Sequence, residues 1–428
     1  MKIRNITWIV GCLMLFFACS DQLNYDEYVG FNKDQIFSSF NRTMNFVTNI
    51  YSYLDYDFGN YDGAMLASAC DEAEYAWTSS SIHDFYNGSW SPTNPKSEVW
   101  SSSYAAIRAA NLYLEASKGQ TFSDFKYNKD YGDQMARFNR YQYEVRFLRA
   151  YFYFNLVRQY GDVPFTDKVL SETEANSLSR TSADAIFKFI VSECDDIVNQ
   201  LPVSYENLPY KETGRVTRGA VLALKARVLL YRASPLFNSN NDKLLWKEAA
   251  LANKSVIDSC AQYGIKLSTY SSLWGPDSYK ASEMIFVRRV GDLNYLEANN
   301  FPIGVEGGRS GNCPTQNLVD AYEMKATGKL WNEEGSGYNP NKPYDGRDPR
   351  FALTIAKNGD KEWPTYNQLP LQTYVGGANG SPIPGATPTG YYLKKYLDPS
   401  VDLRPNYTNT KRHSWITFRL GEFYLNYA

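Results

Sequence analysis

Asp71, Glu72 and Glu74 form an acidic cluster beside Tyr75 and Trp77. Carboxylates act on sugars in two ways. A pair set roughly 5 to 10 Å apart across a glycosidic bond hydrolyses it. Carboxylates can also simply bind, accepting paired hydrogen bonds from vicinal hydroxyls. A cluster that is local in sequence does not create the first geometry, so the expectation is binding without catalysis. The neighbouring rings fit that reading. A sugar presents an apolar C–H face and a polar rim, and Trp77, Tyr86 and Trp90 are interleaved here with Ser, Asn and Gly. The polar, non-periodic setting of Asp71 to Trp90 predicts rings displayed at the surface. Trp274, Trp331 and Tyr391, in later loops, are candidates for a second wall. The expected ligand-binding set is therefore Asp71, Glu72, Trp77, Tyr86, Trp90, Trp274, Trp331 and Tyr391.

Other constellations carry less. Asp55, Asp57, Asn60 and Asp62 look superficially like a calcium loop, but its fifth position would be Gly59 and its twelfth Leu66. That breaks the EF-hand pattern and leaves room only for an irregular calcium site. Gly304, Gly307, Gly308 and Gly311 match neither phosphate-loop nor dinucleotide spacing, and no helix pattern follows, so they read as a flexible loop. Two His residues, His83 and His413, lie far apart in sequence and poorly supply a metal site or a general-base relay. Six Cys, at 12, 19, 70, 194, 260 and 313, show no CxxC spacing. Cys70, Cys194, Cys260 and Cys313 fit either disulfides or buried thiols. No cofactor is expected.

The elements that must position these residues are mostly helices. Ile36, Phe37, Phe40, Met44, Val47, Tyr51 and Leu54 recur at helical spacing, as do Val99 to Leu114 and Val145 to Leu156. The third of these stops at Gly161, with Pro164 just beyond. Ser182 is placed to cap a fourth helix that ends at Pro202. Val221 to Tyr231 gives a fifth, broken at Ser234-Pro235, and Trp246 to Cys260 a sixth, with Gly264 as its C-cap. Phe147-Leu148-Arg149-Ala150 before Pro164-Phe165 echoes Ala223-Leu224-Lys225-Ala226 before Pro235-Leu236-Phe237. Helix pairs with that faint self-similarity predict a mainly α, tetratricopeptide-like helical-repeat scaffold over residues 33–264. Residues 265–412 concentrate Gly and Pro with aromatics between them, and read as a long irregular, loop-rich ligand or partner region. Ile416 to Ala428 reads as the start of a further helix, over 413–428, in a chain expected to be truncated.

The 428 residues carry 44 basic and 46 acidic side chains, for a formal charge of −2. That balance gives no electrostatic reason to expect nucleic acid as a partner. Aromatics make up 16% of the chain, with 35 Tyr, 23 Phe and 9 Trp, more than core packing alone would ask for. At the N-terminus, Lys2 and Arg4 precede an uncharged run from Ile6 to Phe17 and then Ala18-Cys19. Twelve helical residues rise about 18 Å against roughly 30 Å of hydrocarbon, too short to span. The segment 1–18 therefore reads as a lipoprotein signal peptide, Cys19 as the lipidated first residue, and 19–32 as a tether.

Together these stretches resemble one family. Glu144 to Phe165 (EVRFLRAYFYFNLVRQYGDVPF) is similar to the most recognisable segment of SusD/RagB proteins. Cys19-Ser20-Asp21, Trp100 to Glu115, Arg347-Asp348-Pro349-Arg350-Phe351, Gly390-Tyr391-Tyr392, Lys395-Tyr396 and Phe418-Arg419-Leu420-Gly421-Glu422 resemble its other landmarks, in the expected order. The resemblance implies an outer-membrane, lipid-anchored protein facing the cell exterior. It also implies a glycan ligand, no catalytic activity, and a SusC-like TonB-dependent transporter as partner. A helical-repeat lipoprotein that binds peptide or protein ligands for uptake is the alternative.

Overall fold

The computed structural model describes residues 31–96 and 98–428. The leader at 1–18, Cys19 and the tether up to residue 30 lie outside the described residues. The principal elements are α1 (Lys33–Phe37), α2 (Phe40–Tyr51), β1 (Ala73–Tyr75), α3 (Trp100–Ala116), α4 (Tyr131–Tyr160), α5 (Ala183–Ile197), α6 (Arg218–Ala233), α7 (Lys243–Gln262), β2 (Met284–Leu293), β3 (Asn312–Pro314), β4 (Ile355–Ala356), β5 (Tyr392–Leu393), β6 (Lys411–Arg419) and α8 (Leu420–Tyr427).

Local chemistry sets the helix ends. Asn32 and Gln35 form a reciprocal capping box on α1, the Ser182 hydroxyl accepts from Ala185 N at 3.3 Å on α5, and Thr217 does the same for Ala220 N on α6. Gly161, at φ +69°, ends α4 in a conformation that a side chain would resist. The first expected helix is two, because Ser38 and Ser39 divide α1 from α2. From α3 onward each long helix packs on the next, which is the contact pattern of a helical repeat. The echoed motifs occupy equivalent places, with Leu148 and Ala150 of α4 and Leu224 and Ala226 of α6 all fully buried.

Ion pairs tie these helices together. Arg146 meets Glu193 at 2.7 Å and Asp196 at 2.9 Å, while Arg149 reaches Glu193 at 3.2 Å and Asn111 at 2.8 Å. The arginines of the signature stretch therefore brace α4 against α5 and α3. The later Arg419-Leu420-Gly421-Glu422 landmark has a similar use. Arg227 of α6 grips Glu422 at 2.6 Å, and Arg419 grips Glu283 at 2.7 Å. A Cβ on Gly421 would lie 2.5 Å from the Arg419 Nη1 and 2.7 Å from the Glu283 Oε1, so a side chain here would displace this ion pair.

Two expectations for the C-terminal half are corrected. Residues 413–419, expected to begin the last helix, instead belong to β6, paired antiparallel with β2, and α8 starts only at Leu420. His413, Ser414, Thr417 and Phe418 are buried along β6, so tertiary pairing outweighs any local helical tendency. The loop-rich region has its own core, in which Phe58, Leu296, Phe301, Trp363, Tyr392 and Tyr396 pack together. The glycine stretch is not a flexible loop. A Cβ on Gly304, at φ +82°, would stand 2.0 Å from the Ala378 carbonyl oxygen, and one on Gly311 would stand 2.2 Å from that of Asn299. Cys70, Cys194, Cys260 and Cys313 are free thiols, the last three buried.

One buried pair makes stability pH-dependent. His413 Nε2 lies 2.8 Å from the Glu297 carboxylate, and both side chains are almost wholly buried. Burial alone would discharge the ring, but the hydrogen bond and charge of Glu297 hold its pKa above the ordinary 6.5. The stabilisation is thus fully present below the unfolded value and fades as pH rises through the folded one. The thermal midpoint of the intact protein should exceed that of His413→Gln most at pH 5.5, with the gap narrowing toward pH 9. A gap that does not change with pH would remove the ion pair from this account.

Candidate functional site

The β2–β6 ladder brings distant side chains into one cleft. Its register sets Arg288 opposite Trp415. Tyr396 follows β5 and stacks on Trp415, with centroids 5.1 Å apart and ring planes at 18°. Phe58 presents an edge contact to both rings at 5.4 Å. The end of α2 and the segment after it supply Tyr53, Asp55 and Tyr56, and the β1–β3 pair supplies Glu72 and Asn312. Tyr270 and Tyr322 close the remaining side. The cleft holds about 1020 Å³, at the upper end of ligand-site sizes. A second groove, of about 660 Å³ between α5, α6 and α7, has no aromatic lining residue.

The charges of the cleft are unevenly engaged. Asp55 accepts from Tyr151 at 3.2 Å and Asn155 at 2.8 Å, and stands 4.0 Å from Arg158. Asp57 accepts from Leu66 N at 2.6 Å. Burial raises the pKa of both acids despite these partners. Glu98 receives Ser101 N at 2.9 Å, the start of α3. Arg288 donates to the Leu54 carbonyl and lies 4.2 Å from the Tyr56 ring centre. The Lys395 ammonium sits 4.5 Å from the centre of the Trp274 ring. Burial lowers the pKa of both cations.

Of the residues expected from sequence, Glu72 alone lines this cleft. Asp71 is exposed outside it, and its carbonyl accepts from the Thr315 hydroxyl. Tyr86 and Trp90 are displayed, 50% and 56% exposed, and Trp331 is 36% exposed against Tyr338. Tyr86 donates to Glu74 at 3.0 Å, beside His83. The other three rings are packed under loops rather than displayed. Trp77 donates its indole N–H to the Arg309 carbonyl at 2.7 Å, with Gly385 against its face. Trp274 packs on Tyr270 and Tyr396, and its indole nitrogen is buried. Tyr391 is 6% exposed and bonded to Gln316 at 2.8 Å. The acids at 55–62 serve their own chain, Asp62 accepting from Ser81 N at 3.0 Å. Among the described residues no group of three or more His, Cys, Asp or Glu is placed to hold a metal ion.

Sequence reasoning missed Arg288, Trp415, Tyr56, Tyr270 and Tyr322. The short β-branched and aromatic run Ile285-Phe286-Val287 was a usable strand signal for the first, but its pairing with Trp415 depends on tertiary register. Lys395 and Tyr396 were noticed as landmarks and not as lining residues.

The model described as "SusD family" matches residues 282–428, and one described as "Starch-binding associating with outer membrane" matches residues 29–230. The SusD-like protein P25 of Formosa agariphila is 24% identical over 297 residues, covering 67% of this chain and 51% of its own length. The chain thus spans about half of that relative. A SusD-like protein from Bacteroides fragilis superposes with a TM-score of 0.73 at 25% identity, covering 92% of this chain and 75% of the other. A SusD-like carbohydrate-binding protein, also from Bacteroides fragilis, gives 0.72 at 23% identity, with 92% and 74% coverage. These likenesses agree with a tetratricopeptide-like helical scaffold.

Proposed function

The chain belongs to the SusD/RagB family, and on that footing we propose that it captures glycans at the outer surface of the cell, in the cleft between the β2–β6 ladder and the β1–β3 pair. The carrying observation is the composition of that cleft. Trp415, Tyr53, Tyr56, Tyr270 and Tyr322 line it with aromatic rings, while Glu72 presents an exposed carboxylate at the rim. That pairing of apolar face with polar edge complements a saccharide. A relative of the same fold is described as carbohydrate-binding, which supports this choice of ligand over a peptide. The role is binding without hydrolysis. Asp55, Asp57 and Glu98 are held by groups of the protein itself, which leaves no free pair to flank a glycosidic bond. The lipid at Cys19 holds the protein to the outer membrane, and a SusC-like TonB-dependent transporter receives the captured glycan.

Affinity electrophoresis of the folded chain in gels containing candidate polysaccharides tests this. Trp415→Ala should weaken retardation roughly tenfold, since aromatic stacking contributes about 0.5–1.5 kcal/mol beyond burial and 1.4 kcal/mol is a factor of ten. Trp90→Ala, which removes a displayed ring outside the cleft, should change retardation far less. The reverse order, with thermal midpoints preserved, would move the site to the 71–90 stretch.

A further inference from the structure

We propose that the cleft selects anionic glycans, reading a carboxylate or sulfate on the sugar through Arg288 and Lys395; this rests on the cleft being the glycan site. Both cations line the cleft, and each is backed by an aromatic face, Tyr56 for Arg288 and Trp274 for Lys395. They also flank the Trp415–Tyr396 stack, one by ladder register and the other by sequence. Arg288 is the cross-strand partner of Trp415, and Lys395 precedes Tyr396 in the chain. A sugar ring placed on Trp415 would therefore have a guanidinium and an ammonium at its edges.

Both cations lack the partner that burial demands. Among the described residues, no carboxylate comes within ion-pair distance of either, whereas Arg146, Arg149, Arg215 and Arg227 each hold one at 3.2 Å or closer. Arg288 has the Leu54 carbonyl as its acceptor, which leaves the rest of its planar fork for an anion. The Lys395 side chain donates no hydrogen bond to any described residue, and it is only partly shielded from the cleft. The acids nearby do not answer this demand. Asp55 stands with Arg158, Asp57 and Glu98 hold backbone N–H groups, and Asp55 and Glu72 act on Arg288 and Lys395 respectively only from beyond contact. Desolvation lowers the pKa of both cations, which is the response of a charge awaiting a counter-ion. An unpaired buried charge is costly to the fold. That cost is offset when an anionic ligand arrives, through charge-assisted hydrogen bonds roughly twice as strong as neutral ones.

Calorimetric titration of the intact chain with matched ligands tests the idea. Oligogalacturonide and its methyl ester differ in the carboxylate alone, and carrageenan oligosaccharides and their desulfated forms differ in the sulfate alone. At least one anionic member should bind about tenfold or more tightly than its neutral partner, with an affinity that falls as salt rises. Which pair discriminates identifies carboxylate or sulfate as the group read. Lys395→Met and Arg288→Met should each abolish that preference, whereas Lys395→Arg should retain it. Removal of an unpaired buried ammonium should leave the thermal midpoint of Lys395→Met unchanged or raised, which separates lost recognition from lost folding. Equal binding of charged and neutral partners, or a preference that survives both Met variants, overturns the proposal and leaves glycan capture standing. No binding of either pair overturns the proposal. Failure across neutral polysaccharides as well overturns the cleft reading with it.

Discussion

Glu144→Ala is expected to lower the unfolding free energy by about 3–5 kcal/mol, the range seen when one partner of a buried charged pair is removed. Glu144 opens the signature stretch on α4 and is completely buried. Its carboxylate accepts from the Tyr51 hydroxyl of α2 at 2.6 Å, the Tyr205 hydroxyl at 2.9 Å and the Arg215 guanidinium at 3.0 Å. Burial and the Glu144 charge push both phenols above their ordinary pKa, so both remain neutral donors. Arg215 is also bound by Glu212 at 3.1 Å, and Glu212 must serve Arg137 at 2.7 Å as well. Removing Glu144 therefore leaves one carboxylate to neutralise two guanidiniums, with the Tyr51 hydroxyl proton short of its acceptor and the Tyr205 hydroxyl left to the Val216 carbonyl alone. Each unsatisfied group adds a desolvation cost of about 1–3 kcal/mol to the lost attraction. Glu144→Gln keeps the shape and loses the charge, so its loss should fall between wild type and Ala. Urea unfolding monitored by circular dichroism gives the measurement. A loss below about 1 kcal/mol for the Ala variant, with an unchanged denaturant slope, would show that the network is peripheral to stability.

The same network explains why the scaffold could be read from sequence. Helices α3 to α7 announce themselves by period and by caps, because each buries one face against neighbours adjacent in the chain. The arginines of α4 pair internally because a charge on an otherwise apolar helix needs a partner. The cleft was not legible in the same way. Arg288 and Trp415 meet only because β2 and β6 pair across a long separation, and the stretch containing β6 looked helical. Ring exposure was equally hidden. Trp77 and Trp90 sit in similar polar surroundings, yet one is held by Arg309 and Gly385 and the other stands free of them. Tyr391 lies in a Gly-rich segment that suggested display, but Gln316 and Tyr344 bind its hydroxyl in a local core. In loops dense with aromatics, composition does not distinguish a platform from a wedge. Contacts with distant chain segments decide it.

Cys19→Ala is expected to shift the protein entirely from outer-membrane fractions and to abolish incorporation of labelled fatty acid. Even a fully helical run of the twelve residues from Ile6 to Phe17 would rise only about 18 Å, short of the roughly 30 Å hydrocarbon core. Among the described residues, no helix is long and apolar enough to cross a membrane. On the lipoprotein reading, attachment rests on acyl chains at Cys19. Each buried CH₂ contributes about 0.8 kcal/mol, and a single chain binds only marginally, so durable attachment requires more than one chain on this residue. Removal of the thiol removes all of them at once, which makes the effect all-or-none rather than graded. An ordinary signal peptide with an incidental Cys makes the opposite prediction. The wild-type protein would then take up no label, and Cys19→Ala would fractionate as wild type does. Binding and anchoring are also separable, because the proposed cleft is built entirely from residues after Ser52. Soluble Cys19→Ala protein should therefore retain wild-type affinity for its glycan while cells expressing it lose uptake. Lost affinity in that variant would mean that the N-terminal segment takes part in the site.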